Sequence, residues 1–237
     1  MQQGTPRQLS LAVGLFDEAY FSNFCLSDDN RQVVAALTML SEGQQQGHIL
    51  LWGAQGAGLT HLLQASCHHA VEHGLSHQYL PLAELCNLSP ELVVDGLEQQ
   101  QLVCIDGLEH IAGNARWEQA LFHLFNRIRD MGHSTLMSSH SSPQELGIAL
   151  PDLASRLKSG LTFKVHSLSD EGKVQALRER AQHRGMDLSS DVAAYILSHS
   201  DRDPRALFAL LDRLDRLSLE QQRKLTIPFV KGVLEQN

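Results

Sequence analysis

Gly53-Ala54-Gln55-Gly56-Ala57-Gly58-Leu59-Thr60 carries the first chemical signal in the chain. It matches the phosphate-loop pattern GxxxxGK followed by Ser or Thr at both outer glycines and at Thr60. Leu59 stands where the pattern has lysine. Glycines let the backbone curl until its N–H groups face a phosphate, and a following helix adds positive potential at its N-terminus. Thr60 offers a hydroxyl to a magnesium ion. The competing reading is a glycine-rich turn that holds no ligand. Leu102-Val103-Cys104-Ile105-Asp106 is a second signal, an apolar run ending in a carboxylate 46 residues beyond Thr60. At the carboxyl end of a neighbouring strand, Asp106 would hold the magnesium or its water. Position 107 is Gly, where a hydrolysing site of this kind uses an acid to position the attacking water. Glu109 lies close by, on the following turn. With both the lysine and that acid missing, the expected chemistry is binding without efficient hydrolysis. A site without the lysine also favours a triphosphate less, so a diphosphate is a reasonable resident ligand.

These groups need strands that end where the loops begin. His48–Trp52, Gln78–Leu82, Leu102–Asp106, Thr135–Ser139 and Leu161–Val165 read as short buried strands. Helical spacing predicts helices over 31–42, Thr60–Glu72, Pro90–Leu97, Trp117–Asp130 and Leu153–Leu157. Such alternation implies an α/β fold, a doubly wound parallel sheet with helices on both faces. Beyond Leu168 only helices are expected. One spans about 170–184 and ends at Gly185, and a second starts after Ser189 or Ser190 as N-cap. A third opens with Asp203 and Pro204, and the last follows Pro228. The expected organisation is a tail over 1–15, a nucleotide-binding α/β domain over 16–167 and an all-helical lid over 168–237.

Composition narrows the partners. Hydrophobic residues at 43% suit a folded chain, and a net charge of −8 disfavours sequence-independent DNA binding, which relies on neutralising phosphates. Any DNA contact is expected to be indirect. Cys25, Cys67, Cys86 and Cys104 form no CxxC pair and read as reduced thiols. Met1–Ser10 has no hydrophobic signal core, and no apolar run approaches the roughly 20 residues of a membrane span. A cytoplasmic location is expected. Among 13 histidines, His61, His68 and His69 are the densest group. Without HExxH or paired CxxC spacing they read as polar helix and loop residues.

Phe21 to Phe24, Leu136 to His140, Leu150 to Leu157 and Asp203 to Leu207 occur in the order of DnaA-type AAA+ proteins, and the chain resembles that family from Gln8 onward, especially its regulatory members. Phe21-Ser22-Asn23-Phe24 resembles the family's F-x-N-F segment near the adenine. Trp117 through Arg127 resembles the box before sensor 1, and Leu136 to His140 resembles sensor 1 itself. Leu150 to Leu157 resembles the box whose arginine, here Arg156, reaches a neighbouring subunit's nucleotide. Asp203-Pro204-Arg205-Ala206-Leu207 resembles sensor 2. Gln8-Leu9-Ser10-Leu11-Ala12-Val13 resembles the family's motif for the sliding clamp.

The resemblance implies an adenine nucleotide, ADP or another, with magnesium if present on Thr60 and Asp106. Its other contacts would be Phe21, Asn23, Phe24, Gly53, Gln55, Gly56, Ala57, Gly58, Leu59, His61, Pro204 and Arg205. It implies the polymerase III sliding clamp (the beta subunit) and DnaA as partners, and self-association as a further option. An extended tail can seat Leu9, Leu11 and Val13 in an apolar groove while Gln8 makes polar contacts. Arg156 reads either as a solvated surface residue or as an arginine finger, which in trans accelerates phosphoryl transfer by roughly 10³ to 10⁵. Arg205 at a helix start opposes the helix dipole, which a bound anion would explain. The implied function is stimulation of hydrolysis of DnaA-bound ATP, so that initiation is not repeated. Two readings stand beside it: a self-sufficient ATPase such as a helicase loader, and an initiator-like DNA-binding adaptor.

Overall fold

The structure is a computed structural model that describes residues 15–16 and 19–235. The chain separates into two compact units. One comprises the segment ending at Phe24 together with Asn30–Ala54 and Leu59–Val165. The other comprises Cys25–Asp29, Gln55–Gly58 and His166 onward.

Among the described residues the first unit is built on five parallel strands: β1 His48–Trp52, β2 His77–Pro81, β3 Leu102–Asp106, β4 Ser134–Ser139 and β5 Leu161–Lys164. Their order across the sheet is β2-β3-β4-β1-β5. Strands covered on both faces must be apolar throughout, and Ile49, Leu50, Leu51, Leu102, Val103 and Cys104 are all buried. β5 lies at one edge of the sheet and is largely exposed; it carries Lys164, whose Nζ lies 5.3 Å from the ring centre of Trp52.

Among the described residues six α-helices accompany the sheet: α1 Arg31–Ser41, α2 Leu59–Glu72, α3 Leu82–Leu85, α4 Pro90–Val93, α5 Ala115–Asp130 and α6 Pro151–Ser159. α5 starts at Asn114, whose side chain accepts the N–H groups of Arg116 and Trp117. Its buried face, Trp117, Leu121, Leu124, Phe125 and Ile128, packs with Val103, Ile105, Met137, Leu153 and Leu157 in one core. The buried Trp117 Nε1–H donates to the Cys86 carbonyl at 2.9 Å.

The second unit contains α7 Asp170–His183, α8 Ser190–His199, α9 Pro204–Gln221 and α10 Ile227–Leu234. Ser169 and Ser189 cap the first two by accepting the N–H groups of Gly172 and Val192. Leu177, Ile196, Leu207, Leu211, Leu214 and Phe229 form the core of this unit.

The architecture is the expected one, with local departures. β2 covers His77–Pro81, not Gln78–Leu82, because its pairing ends at Pro81 opposite Asp106 and Leu82 already opens α3. The helix expected to reach Leu97 stops at Val93. Gly96, with φ of +73°, breaks it, and a separate 3-10 turn covers Leu97–Gln99. Among the described residues no helix is long and apolar enough to cross a membrane.

Candidate nucleotide site and its surroundings

Strand register brings the chemistry to one edge. Trp52 pairs with Ser139 and Ile105 with Met137, so Gly53, Asp106 and Ser138 all lie at the carboxyl ends of adjoining strands. This is where open α/β sheets bind ligands. Asp106 is held from both sides. Ser138 Oγ–H donates to its Oδ1, and the Tyr79 hydroxyl donates to its Oδ2 at 2.6 Å. Ser138 Oγ in turn accepts the Gly107 N–H at 2.9 Å. Each carboxylate oxygen has further lone-pair capacity, so the aligned Asp106 is suited to a hard cation or its water.

The neighbouring acid has another task. Glu109 Oε2 accepts the His140 N–H at 3.2 Å, and His140 Nδ1 lies 3.2 Å from the Gly53 carbonyl. Gly53 N–H donates to the Ser139 carbonyl. Glu109 and the end of β4 thus brace the start of the phosphate loop. Gly107 has φ of +84°, and a Cβ there would meet His110 Cδ2 at 2.7 Å. The backbone conformation itself therefore selects glycine where a hydrolysing site uses an acid.

The loop's own residues divide between the units. Gln55–Gly58 groups with the second, where a Cβ on Gly56 (φ +77°) would meet Asp203 Oδ2 at 3.1 Å and Pro204 Cδ at 3.2 Å. Leu59 is buried at the head of α2, and Thr60 follows it in the first turn. Pro204 opens α9 with Arg205 second; the side chain of Arg205 lies outside the described part of the structure. Gln8, Leu9, Ser10, Leu11 and Val13 also lie outside it.

The histidines of α2 contact the aromatic segment before α1. His61 Nε2 is 2.9 Å from the Tyr20 carbonyl, and its ring centre is 5.7 Å from that of Phe24. His68 Nε2 is 3.1 Å from the Phe16 carbonyl and its ring stacks on Tyr20 at 4.6 Å. Phe21 meets His69 edge-on, centres 5.4 Å apart. Phe24 therefore lies beside the residue after Thr60, whereas Phe21 lies two helical turns further along α2. Asn23 ends the 3-10 turn Phe21–Asn23 between them.

Arg156 occupies the other end of the sheet. It is half-buried in the last turn of α6, which leads into Leu161, and Leu161 pairs with Ile49 near the start of β1. His48 begins that strand. Burial first, then the positive charges of Arg129 and Arg156, push the His48 imidazole down to about 4. The five residues of β1 separate this amino edge from Gly53 by ~16 Å. Arg156 thus lies away from the chain's own phosphate loop.

Glu118, which sequence spacing did not single out, positions that helix. Its carboxylate is buried and accepts three backbone N–H groups: Gly113 at 2.7 Å, Ala149 at 3.0 Å and Leu150 at 2.6 Å. Leu150 is the residue ahead of α6. A buried glutamate inside a helix has no period-based signature; only the interruption of the apolar stripe beside Trp117 could have drawn notice.

Residues 91–164 match the family described as the bacterial DnaA ATPase domain, and residues 170–234 match the Hda lid domain. Domain III of the Thermotoga maritima replication initiation protein DnaA superposes with a TM-score of 0.79 at 21% identity, covering 94% of this chain and 98% of that one. DnaA from Aquifex aeolicus bound to AMPPCP gives 0.73 at 21% identity, with coverage of 85% and 66%. The chain thus spans 66% of that DnaA. The RuvB Holliday junction branch migration motor of Thermotoga maritima gives 0.70 at 15% identity, with coverage of 92% and 71%. The fold is that of an AAA+ domain followed by a helical lid.

Proposed function

We propose, from the premise that this chain is a DnaA-related AAA+ protein with an Hda-type lid, that it is a nucleotide-bound negative regulator of replication initiation. It docks on the DNA-loaded polymerase clamp through Gln8, Leu9, Ser10, Leu11 and Val13. It then presents Arg156 to ATP held by DnaA. There water attacks the γ-phosphorus, the bond to the bridging oxygen breaks, and ADP and phosphate are formed. The guanidinium stabilises negative charge on the transferring group.

The observation that carries this reading is the position of Arg156, at the edge of the sheet away from the chain's own phosphate loop. Gly107 supports it, because the left-handed backbone there and the nearby His110 ring disfavour a water-positioning acid. The chain's own nucleotide then serves as a structural ligand, with ADP the preferred candidate. Thr60 and Asp106 would hold its magnesium, which neutralises phosphate charge. Phe24, with His61 beside it, lines the approach to the base.

The test is clamp capture. Immobilised clamp should retain the wild-type chain and lose it on Leu11→Ala, and only the retained form should accelerate hydrolysis of DnaA-bound ATP. Equal stimulation by both chains would sink the clamp-dependent reading.

A further inference from the structure

Glu42, at the C-terminus of α1, faces the last turn of α2. His69 Nε2 lies 3.2 Å from Glu42 Oε1, and His73 Nε2 lies 3.8 Å from the same oxygen. One ligand atom from each of the three residues lies within 4.8 Å of the others. The opposite face of each imidazole is anchored. His73 Nδ1 lies 2.9 Å from the His69 carbonyl, an acceptor, so the neutral ring carries its proton on Nδ1 and presents the Nε2 lone pair to a metal. His69 Nδ1 lies 3.5 Å from Glu72 Oε2, so a carboxylate is within reach of the ring's other nitrogen.

We propose that Glu42, His69 and His73 form a binding site for a divalent transition-metal ion of the zinc class. Imidazole nitrogens with one carboxylate suit zinc and not magnesium. Zn–N and Zn–O bonds near 2.1 Å put tetrahedral ligand atoms ~3.4 Å apart. The 3.2 Å separation already meets that spacing, and the 3.8 Å one meets it after a small side-chain rotation. His73 follows the end of α2 and its side chain is 40% exposed, so it can rotate and also gives the ion access. Three protein ligands leave a fourth position for water.

Spacing within the chain could not reveal this set. His69 and His73 are four residues apart, but the third ligand comes from another helix, 27 residues earlier than His69. The site is distinct from the nucleotide loop, since nine residues of helix between Thr60 and His69 span ~13 Å. A bound ion would fasten the C-terminal end of α1 to that of α2. His69 also carries the edge of Phe21, so the ion would stiffen the seat of the aromatic segment.

The experiment is zinc titration of untagged, metal-free full-length chain against a chromophoric chelator, with excess magnesium present. The expected result is one zinc per chain at micromolar affinity or tighter, together with cobalt absorption bands of four-coordinate intensity. His73→Ala and the near-isosteric Glu42→Gln should each weaken binding at least tenfold, and His68→Ala should not. Circular dichroism of the metal-free variants checks that both fold; if His73→Ala does not, Glu42→Gln decides alone. A wild-type chain that leaves zinc free at about 100 µM, or a folded variant with wild-type affinity, would overturn the proposal.

Discussion

The carboxylate of Glu118 accepts the Leu150 N–H at 2.6 Å, and so the buried face of α5 fixes the point from which α6 and Arg156 project. The same carboxylate holds Ala149 and Gly113. Three orphaned N–H groups would result from its removal. Glu118→Ala is expected to cost ~3–5 kcal/mol, the range for breaking a buried charged network. Urea unfolding measures this, and Glu118→Gln, which keeps one acceptor oxygen, should lose distinctly less.

Gly107 leads to a prediction about activity that is not gained. Gly107→Glu restores an acid next to Asp106, but it forces a left-handed residue against the His110 ring. Strain of about 1–2 kcal/mol is expected, with no rise in turnover by the isolated chain. A thermal melt and a steady-state ATPase assay together check both halves. A large gain in turnover would show that the local backbone accommodates catalysis.

The missing lysine should show in ligand preference. With Leu59 buried at the helix start, no side-chain charge from that position reaches the terminal phosphate. ADP and ATP are therefore expected to bind within about tenfold of each other, a difference of ~1.4 kcal/mol or less. Calorimetric titration with each nucleotide in magnesium reads this directly.

His48 gives a pH dependence with a definite sign. Its folded pKa, about 4, lies below its ordinary value near 6.5. Between these values the unfolded chain binds more protons than the folded one. Stability from this residue is therefore complete above pH 6.5 and lost as pH falls towards 4. Urea midpoints measured from pH 7 to pH 4 should fall more steeply for wild type than for His48→Gln.

Much of this fold is legible in the sequence. The apolar runs ending at Trp52, Asp106 and Ser139 mark buried parallel strands, and Ser189 and Pro204 mark helix starts, because local chemistry specifies both. The surroundings of Asp106 are another matter. Tyr79 and Ser138 come from two other strands, and only the register of the sheet brings their hydroxyls to one carboxylate. Asn114 escaped notice as the cap of α5 because the apolar period begins three residues later, at Trp117. Arg156 could be singled out by resemblance, but its distance from the chain's own loop depends on β5 pairing beside β1.

The most direct test of the central claim is hydrolysis of DnaA-bound ATP in the presence of DNA-loaded clamp, with wild type or Arg156→Ala added. Wild type should accelerate hydrolysis, and Arg156→Ala, still folded and still captured by the clamp, should lose that acceleration by roughly 10³-fold or more. Full stimulation by Arg156→Ala would contradict the assignment of this arginine as the group supplied in trans.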